Sequence, residues 1–137
     1  MKKSDEEITI NILLNRIVCE ETNVLYFEKY FNEYTSYKRG FKDKIFLNFL
    51  KNNLHRFKSL IEVRYYPENV IDISFLREIK TLKHIHIPIE KIKSLSFIIE
   101  LPELITIGSF LDKLSNYTMQ SLKRRIKYRK NIKKFLQ

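Results

Sequence analysis

The sequence predicts an α+β fold: a short solenoid with a small parallel sheet, flanked by N-terminal helices and closed by a C-terminal capping helix. Three observations predict it. Two copies of one 22-residue unit stand end to end at 70–91 and 92–113. Apolar residues at helical spacing dominate the chain before them, and a cationic segment with one apolar stripe follows them. A fixed period of this length is the signature of stacked repeats, each burying its apolar side on the next.

The two copies align without a gap. Ile73 falls on Leu95, Ser74 on Ser96, Phe75 on Phe97 and Leu76 on Ile98; Ile79 falls on Leu101, Leu82 on Leu104, Ile85 on Ile107 and Ile89 on Leu111. Running the period back finds a weaker third copy with Leu54, Phe57, Leu60, Val63 and Tyr65. The columns then read Phe57/Ile79/Leu101, Leu60/Leu82/Leu104 and Val63/Ile85/Ile107.

Leu82-x-x-Ile85-x-Ile87 after Ile79, with Asp72-Ile73-Ser74-x-Leu76 before it, resembles the leucine-rich repeat family in its short 22-residue class. The resemblance covers 54–114. It implies that the Leu-x-x-Leu-x-Leu part is a strand of a concave parallel sheet and that the Asp-Ile-Ser-x-Leu part is a short turn or 3₁₀ segment on the convex side. It also implies a non-enzymatic protein-binding module. The sequence departs from the family where Glu68, Glu90 and Asp112 replace the Asn of the bend, and where Ser109 takes an inward apolar position.

In chain order, Ser4-Asp5-Glu6-Glu7 has the form of a capped helix start, with Ser4 as N-cap and Glu7 at the capping-box position. Ile10, Leu13, Leu14, Ile17 and Val18 follow at helical spacing. An alternating strand over 8–12 is the rival, but the alternation fails at Leu13-Leu14. Asn23 caps a second expected helix through Tyr34, with Phe27, Tyr30, Phe31 and Tyr34 on one inward face. A turn is expected over 35–40. A third helix is expected over 42–53, with Ile45, Phe46, Phe49, Leu50 and Leu54 inward. Solenoids need atypical caps to close their open apolar ends. The helices of 1–53 are expected to close one end. A helix over 115–137, capped by Ser115 or Asn116 and turning Met119, Leu122 and Ile126 inward, closes the other.

A chain of 137 residues is expected to form one domain, 1–137. Its 44% apolar and 13% aromatic content argues against disorder. Cys19 is the only cysteine, so no disulfide forms within the chain, and it reads as a small buried hydrophobe. No secretory signal is visible, and no stretch approaches the ~20 apolar residues of a membrane span. The expectation is a cytoplasmic protein.

Charge is distributed unevenly. The net charge is +10, yet all 16 acidic residues lie at or before Asp112, where 17 cations balance them. The other nine cations follow, so the last segment alone carries +9.

Two glycines exclude a Gly-rich phosphate loop, and H-E-x-x-H, C-x-x-C and G-x-S-x-G are absent from the sequence. The expectation is no enzyme, no cofactor and no metal. Two places are candidates for binding. If Val63, Ile85 and Ile107 point inward, alternation places Glu62/His84/Thr106, Arg64/His86/Gly108 and Tyr66/Pro88/Phe110 on the open sheet face. Glu62, Arg64, Tyr66, His84, His86 and Phe110 are therefore expected to bind a protein partner. A metal held by two His and a carboxylate is the less favoured reading of the same patch. The second place is the tail, where Arg124, Arg125 and Arg129 flank Tyr128 in a cationic stripe. It suits nucleic acid, an anionic membrane surface or an acidic protein.

Small size and missing catalytic motifs extend the expectation to a stoichiometric inhibitor, such as a bacterial toxin-immunity protein or antitoxin whose partner is a toxin domain. That extension has no family motif behind it. The alternative is a nucleic-acid-associated protein binding through its basic C-terminal helix.

Overall fold

The structure is a computed structural model describing residues 2–30, 40–109 and 116–136, with side chains for 8–30, 40–109 and 119–129. These residues form three α-helices, α1 (Lys2–Asn15), α2 (Phe41–Asn53) and α3 (Asn116–Leu136), and four strands, β1 (Val24–Tyr26), β2 (Glu62–Arg64), β3 (His84–His86) and β4 (Thr106–Ile107). The strands make one parallel sheet in the order β1-β2-β3-β4. The chain is thus a mixed helix-and-strand protein.

The sheet is built in the phase of the repeat. Glu62 pairs with His84 and His84 with Thr106, a step of 22 residues each time. One backbone device recurs at every junction. The carbonyl of Asn23 accepts the N–H groups of Ile61 (2.7 Å) and Glu62 (3.1 Å). That of Ile61 accepts those of Lys83 (2.8 Å) and His84 (3.0 Å), and that of Lys83 accepts those of Ile105 (2.8 Å) and Thr106 (3.1 Å). Leu60, Leu82 and Leu104 are buried in line, as are Val63, Ile85 and Ile107. On the other side, the 3₁₀ turns Ser74–Glu78 and Ser96–Glu100 pack on each other, one repeat apart. Leu76 and Ile98 point from them into the core.

Three expectations for the first third of the chain are corrected. Helix α1 begins at Lys2, so Ser4 lies inside it rather than capping it. It ends at Asn15, and among its described side chains, 8–15, it buries Ile10 and Leu14; Leu13 and Val18 stay exposed. The expected helix from Asn23 is instead β1 followed by a 3₁₀ turn, Phe27–Tyr30. The stretch 1–53 is therefore not wholly helical. The physical reason is the open edge of β2: the Asn23 carbonyl and the exposed–buried–exposed alternation of Val24, Leu25 and Tyr26 satisfy that edge, and tertiary pairing overrides helical spacing. The remainder of that expected helix, Phe31 to Tyr34, lies outside the described residues, as does the expected turn up to residue 39.

Phe27 does enter the core, as its place in the aromatic stripe predicts. Its ring meets Phe46 edge-on at 5.0 Å and Tyr65 at 5.6 Å. Helix α2 turns Ile45, Phe46, Phe49 and Leu50 inward and starts after Gly40, whose φ of 84° suits a residue without a side chain. Asp43, in its first turn, is buried. It accepts the Tyr65 hydroxyl and the backbone N–H groups of Glu68 (3.0 Å) and Asn69 (2.9 Å). Glu68 in turn accepts the Gly40 N–H at 2.7 Å. The bend after β2 is thus held by the carboxylates of Asp43 and Glu68.

Candidate binding face of the sheet

Because β2, β3 and β4 turn Val63, Ile85 and Ile107 into the core, their neighbours line the opposite face. Glu62, His84 and Thr106 form one row across the sheet, and Arg64 and His86 the next. Strand β1 extends these rows with Val24 and Tyr26.

The polar groups on this face hold one another. Glu62 is mostly covered, pairs with Arg64 and lies 3.4 Å from His86 Nε2. His84 Nδ1 sits 2.7 Å from Thr106 Oγ1. The two imidazole rings stand 6.3 Å apart. Arg64 lies 5.9 Å from the Tyr26 ring centre, in cation–π range, and its side chain remains 48% exposed. Glu28 accepts the Tyr66 N–H at 3.0 Å and pairs with Lys42 at 3.1 Å.

Between Tyr26 and Tyr66 these groups leave a cup of about 280 Å³, whose walls also include Arg64, His86, Glu28 and Ser109. Both tyrosines are about half exposed, at 47% and 57%. Beneath the cup lies Tyr65, buried against Phe46 and hydrogen-bonded to Asp43. Burial first, and the Asp43 carboxylate second, push its phenol well above the ordinary range. The floor therefore stays uncharged at any physiological pH.

Glu62, Arg64, Tyr66, His84 and His86 accordingly come together on one face. Phe110 lies outside the described residues. Arg124, Arg125 and Arg129 are exposed on α3, which packs on β4 and on the Ser96–Glu100 turn; none of them lines the cup. Tyr26, Val24 and Glu28 belong to the face but were not expected there. Their signal was the alternation Val24-Leu25-Tyr26, overlaid by aromatic residues at helical spacing.

Elsewhere, burial raises the Cys19 thiol, which points away from nucleophilic use. Burial, then the neighbouring Lys127, lowers the Lys123 ammonium, which donates to the Leu101 carbonyl at 3.0 Å and ties α3 to the last turn. Among the described residues no three His, Cys, Asp or Glu side chains converge as a metal site. No helix of the described residues is long and apolar enough to cross a membrane. Comparison of the chain with family models, curated proteins and solved structures gives no match.

Proposed function

We propose that the chain is a non-enzymatic protein-binding module: a short leucine-rich-repeat-like solenoid that holds a protein partner on the open face of its sheet. The observation that carries this reading is the face itself. Tyr26, Arg64 and Tyr66 stand exposed around a cup on the sheet, and aromatic and arginine side chains are the commonest anchors of protein interfaces. The 22-residue register supports the repeat reading. Glu62 is occupied by Arg64 and His86, and His84 by Thr106, an arrangement suited to a firm surface more than to proton transfer. A compact cytoplasmic binder of this kind fits a stoichiometric inhibitor, such as an immunity protein or antitoxin that covers a toxin's working surface.

One observation favours a second reading: α3 exposes Arg124, Arg125, Lys127 and Arg129 together, a cationic stripe suited to nucleic acid. Two experiments separate the readings. In the first, the purified chain is immobilised and exposed to nuclease-treated extract of its source cells. The wild type should retain a protein in stoichiometric amount that the triple variant Tyr26→Ser, Arg64→Ser, Tyr66→Ser does not. In the second, labelled RNA and DNA are titrated at two salt concentrations. Micromolar binding at physiological salt, lost on changing Arg124, Arg125 and Arg129 to Gln and unaffected by the face variant, would transfer the function to nucleic acid.

A further inference from the structure

The carboxylates at the cup are engaged, while its hydrogen-bond donors are not. Glu28 lies in the wall and Glu62 on the same sheet face beside Arg64. Glu28 accepts the Tyr66 N–H at 3.0 Å on one oxygen and the Lys42 ammonium at 3.1 Å on the other. Glu62 accepts the Arg64 Nε–H on one oxygen, and the other stands 3.4 Å from His86 Nε2. All four oxygens therefore face a partner already.

The donors differ. Glu62 holds Arg64 through Nε alone, and the guanidinium lies 5.9 Å from the Tyr26 ring centre, so both neighbours set the plane of the fork. Among the described residues neither terminal NH₂ group of Arg64 meets an acceptor, and the Tyr26 and Tyr66 hydroxyls have no hydrogen-bond partner. All three side chains line the cup and are about half exposed. A guanidinium with its terminal N–H groups open matches the two oxygens of a carboxylate or phosphate, and a phenol hydroxyl can donate to the same group.

Size and charge choose between these anions. A volume of about 280 Å³ falls below the range of small-ligand pockets, about 300–1,000 Å³, and suits a single side chain. The cations Arg64 and Lys42 only balance Glu62 and Glu28, so a phosphate dianion would meet two carboxylates with no further Lys or Arg to offset it. A carboxylate brings half that charge. We propose that the cup seats one acidic side chain, glutamate or aspartate, of the protein partner. Arg64 holds its carboxylate through the terminal NH₂ groups, Tyr26 and Tyr66 donate from their hydroxyls, and the two rings cover its CH₂ stem. The chain's net charge of +10 draws an acidic partner surface toward it. This inference rests on the proposal that the sheet face binds a protein, and names the chemistry that face selects.

NMR titration of the full chain tests it. The probe is a capped glycine peptide with one central glutamate, taken to millimolar concentration. The Tyr26 and Tyr66 ring signals and the Arg64 Nε–H should shift and saturate. The same peptide with glutamine in place of glutamate should leave them unchanged, and one with phosphoserine should bind more weakly. Arg64→Gln should abolish the response, and Arg64→Lys, which keeps the charge and loses the fork, should restore only part of it. Backbone amide spectra check that each variant folds. Should Arg64→Gln not fold, Tyr66→Phe, which removes one hydroxyl and keeps the ring, should weaken binding several-fold. No response to the glutamate peptide, an equal response to glutamine, tighter binding of phosphoserine, or binding undiminished in the variants would overturn the inference. The titration reads the cup alone, whereas capture from extract reads the face. A face that captures a protein while the cup ignores glutamate overturns this inference and leaves the proposed function standing. A cup that takes glutamate on a face that captures nothing overturns the proposed function, and with it the assignment of the acid to a protein partner.

Discussion

Tyr65 and Asp43 join the end of β2 to the first turn of α2, and the pair makes stability depend on alkaline pH. The folded phenol titrates far above its ordinary value, because burial and the carboxylate both oppose its ionisation. The unfolded phenol titrates near pH 10. A group raised on folding contributes stability that is complete below the unfolded value and lost as pH climbs above it. Below pH 10, Tyr65→Phe should cost about 1.5–3 kcal/mol, since the Asp43 carboxylate loses a buried donor. Above pH 10 the gap should close by about 1.4 kcal/mol per pH unit, as only the wild type gives up a proton on unfolding. Urea melts of both proteins at pH 7, 10 and 11 check this, and an unchanged gap at pH 11 would show that the phenol ionises freely in the folded chain. Glu20 behaves in the opposite sense. Its hydrogen bond from Arg56 lowers its carboxyl, but the pair is at the surface, where solvent screening leaves such bridges with little effect.

The elements divide by how far their neighbours lie along the chain. Strands β2, β3 and β4 were legible because a constant step of 22 residues keeps every apolar column in phase. Leu60, Leu82 and Leu104 could be named as one buried line before any strand was seen. Helix α2 was legible for a similar reason, its apolar face being continuous from Ile45 to Leu50. Strand β1 was not legible. It pairs with β2 at a step of 38 residues, because α2 and its connections are inserted between them, so no fixed period reaches it. Its own three residues also sit beside Phe27 and Tyr30, whose spacing imitates a helix face. The same gap hid one side of the cup: Arg64, Tyr66 and His86 followed from the columns, while Tyr26 and Glu28 needed the sheet. A packed column has a measurable consequence. Leu82 is fully buried in the middle repeat, and Leu82→Ala should cost about 2–5 kcal/mol in chemical denaturation. A cost near zero would mean that the repeats do not share one core.

For the whole molecule, shape and charge point to different partners and have to be weighed. The sheet face presents its charges already paired, while the uncompensated positive charge lies in the last segment, where α3 exposes Arg124, Arg125, Lys127 and Arg129. Cations beside an interface chiefly speed encounter, whereas anchored aromatic contacts hold the complex. Changing Arg124, Arg125 and Arg129 to Gln should therefore slow association with the protein partner in a salt-dependent way, with dissociation nearly unchanged. Changing Tyr26, Arg64 and Tyr66 to Ser should speed dissociation; surface plasmon resonance separates the two. The central claim is that a protein occupies the open sheet face. Site-specific photocrosslinking in living source cells tests it most directly, with a benzophenone amino acid at Tyr66 on that face and, separately, at Arg77 on the opposite side. The account predicts one discrete protein adduct from position 66 and none from position 77. Adducts of the same kind from both positions, or none from position 66, would contradict it.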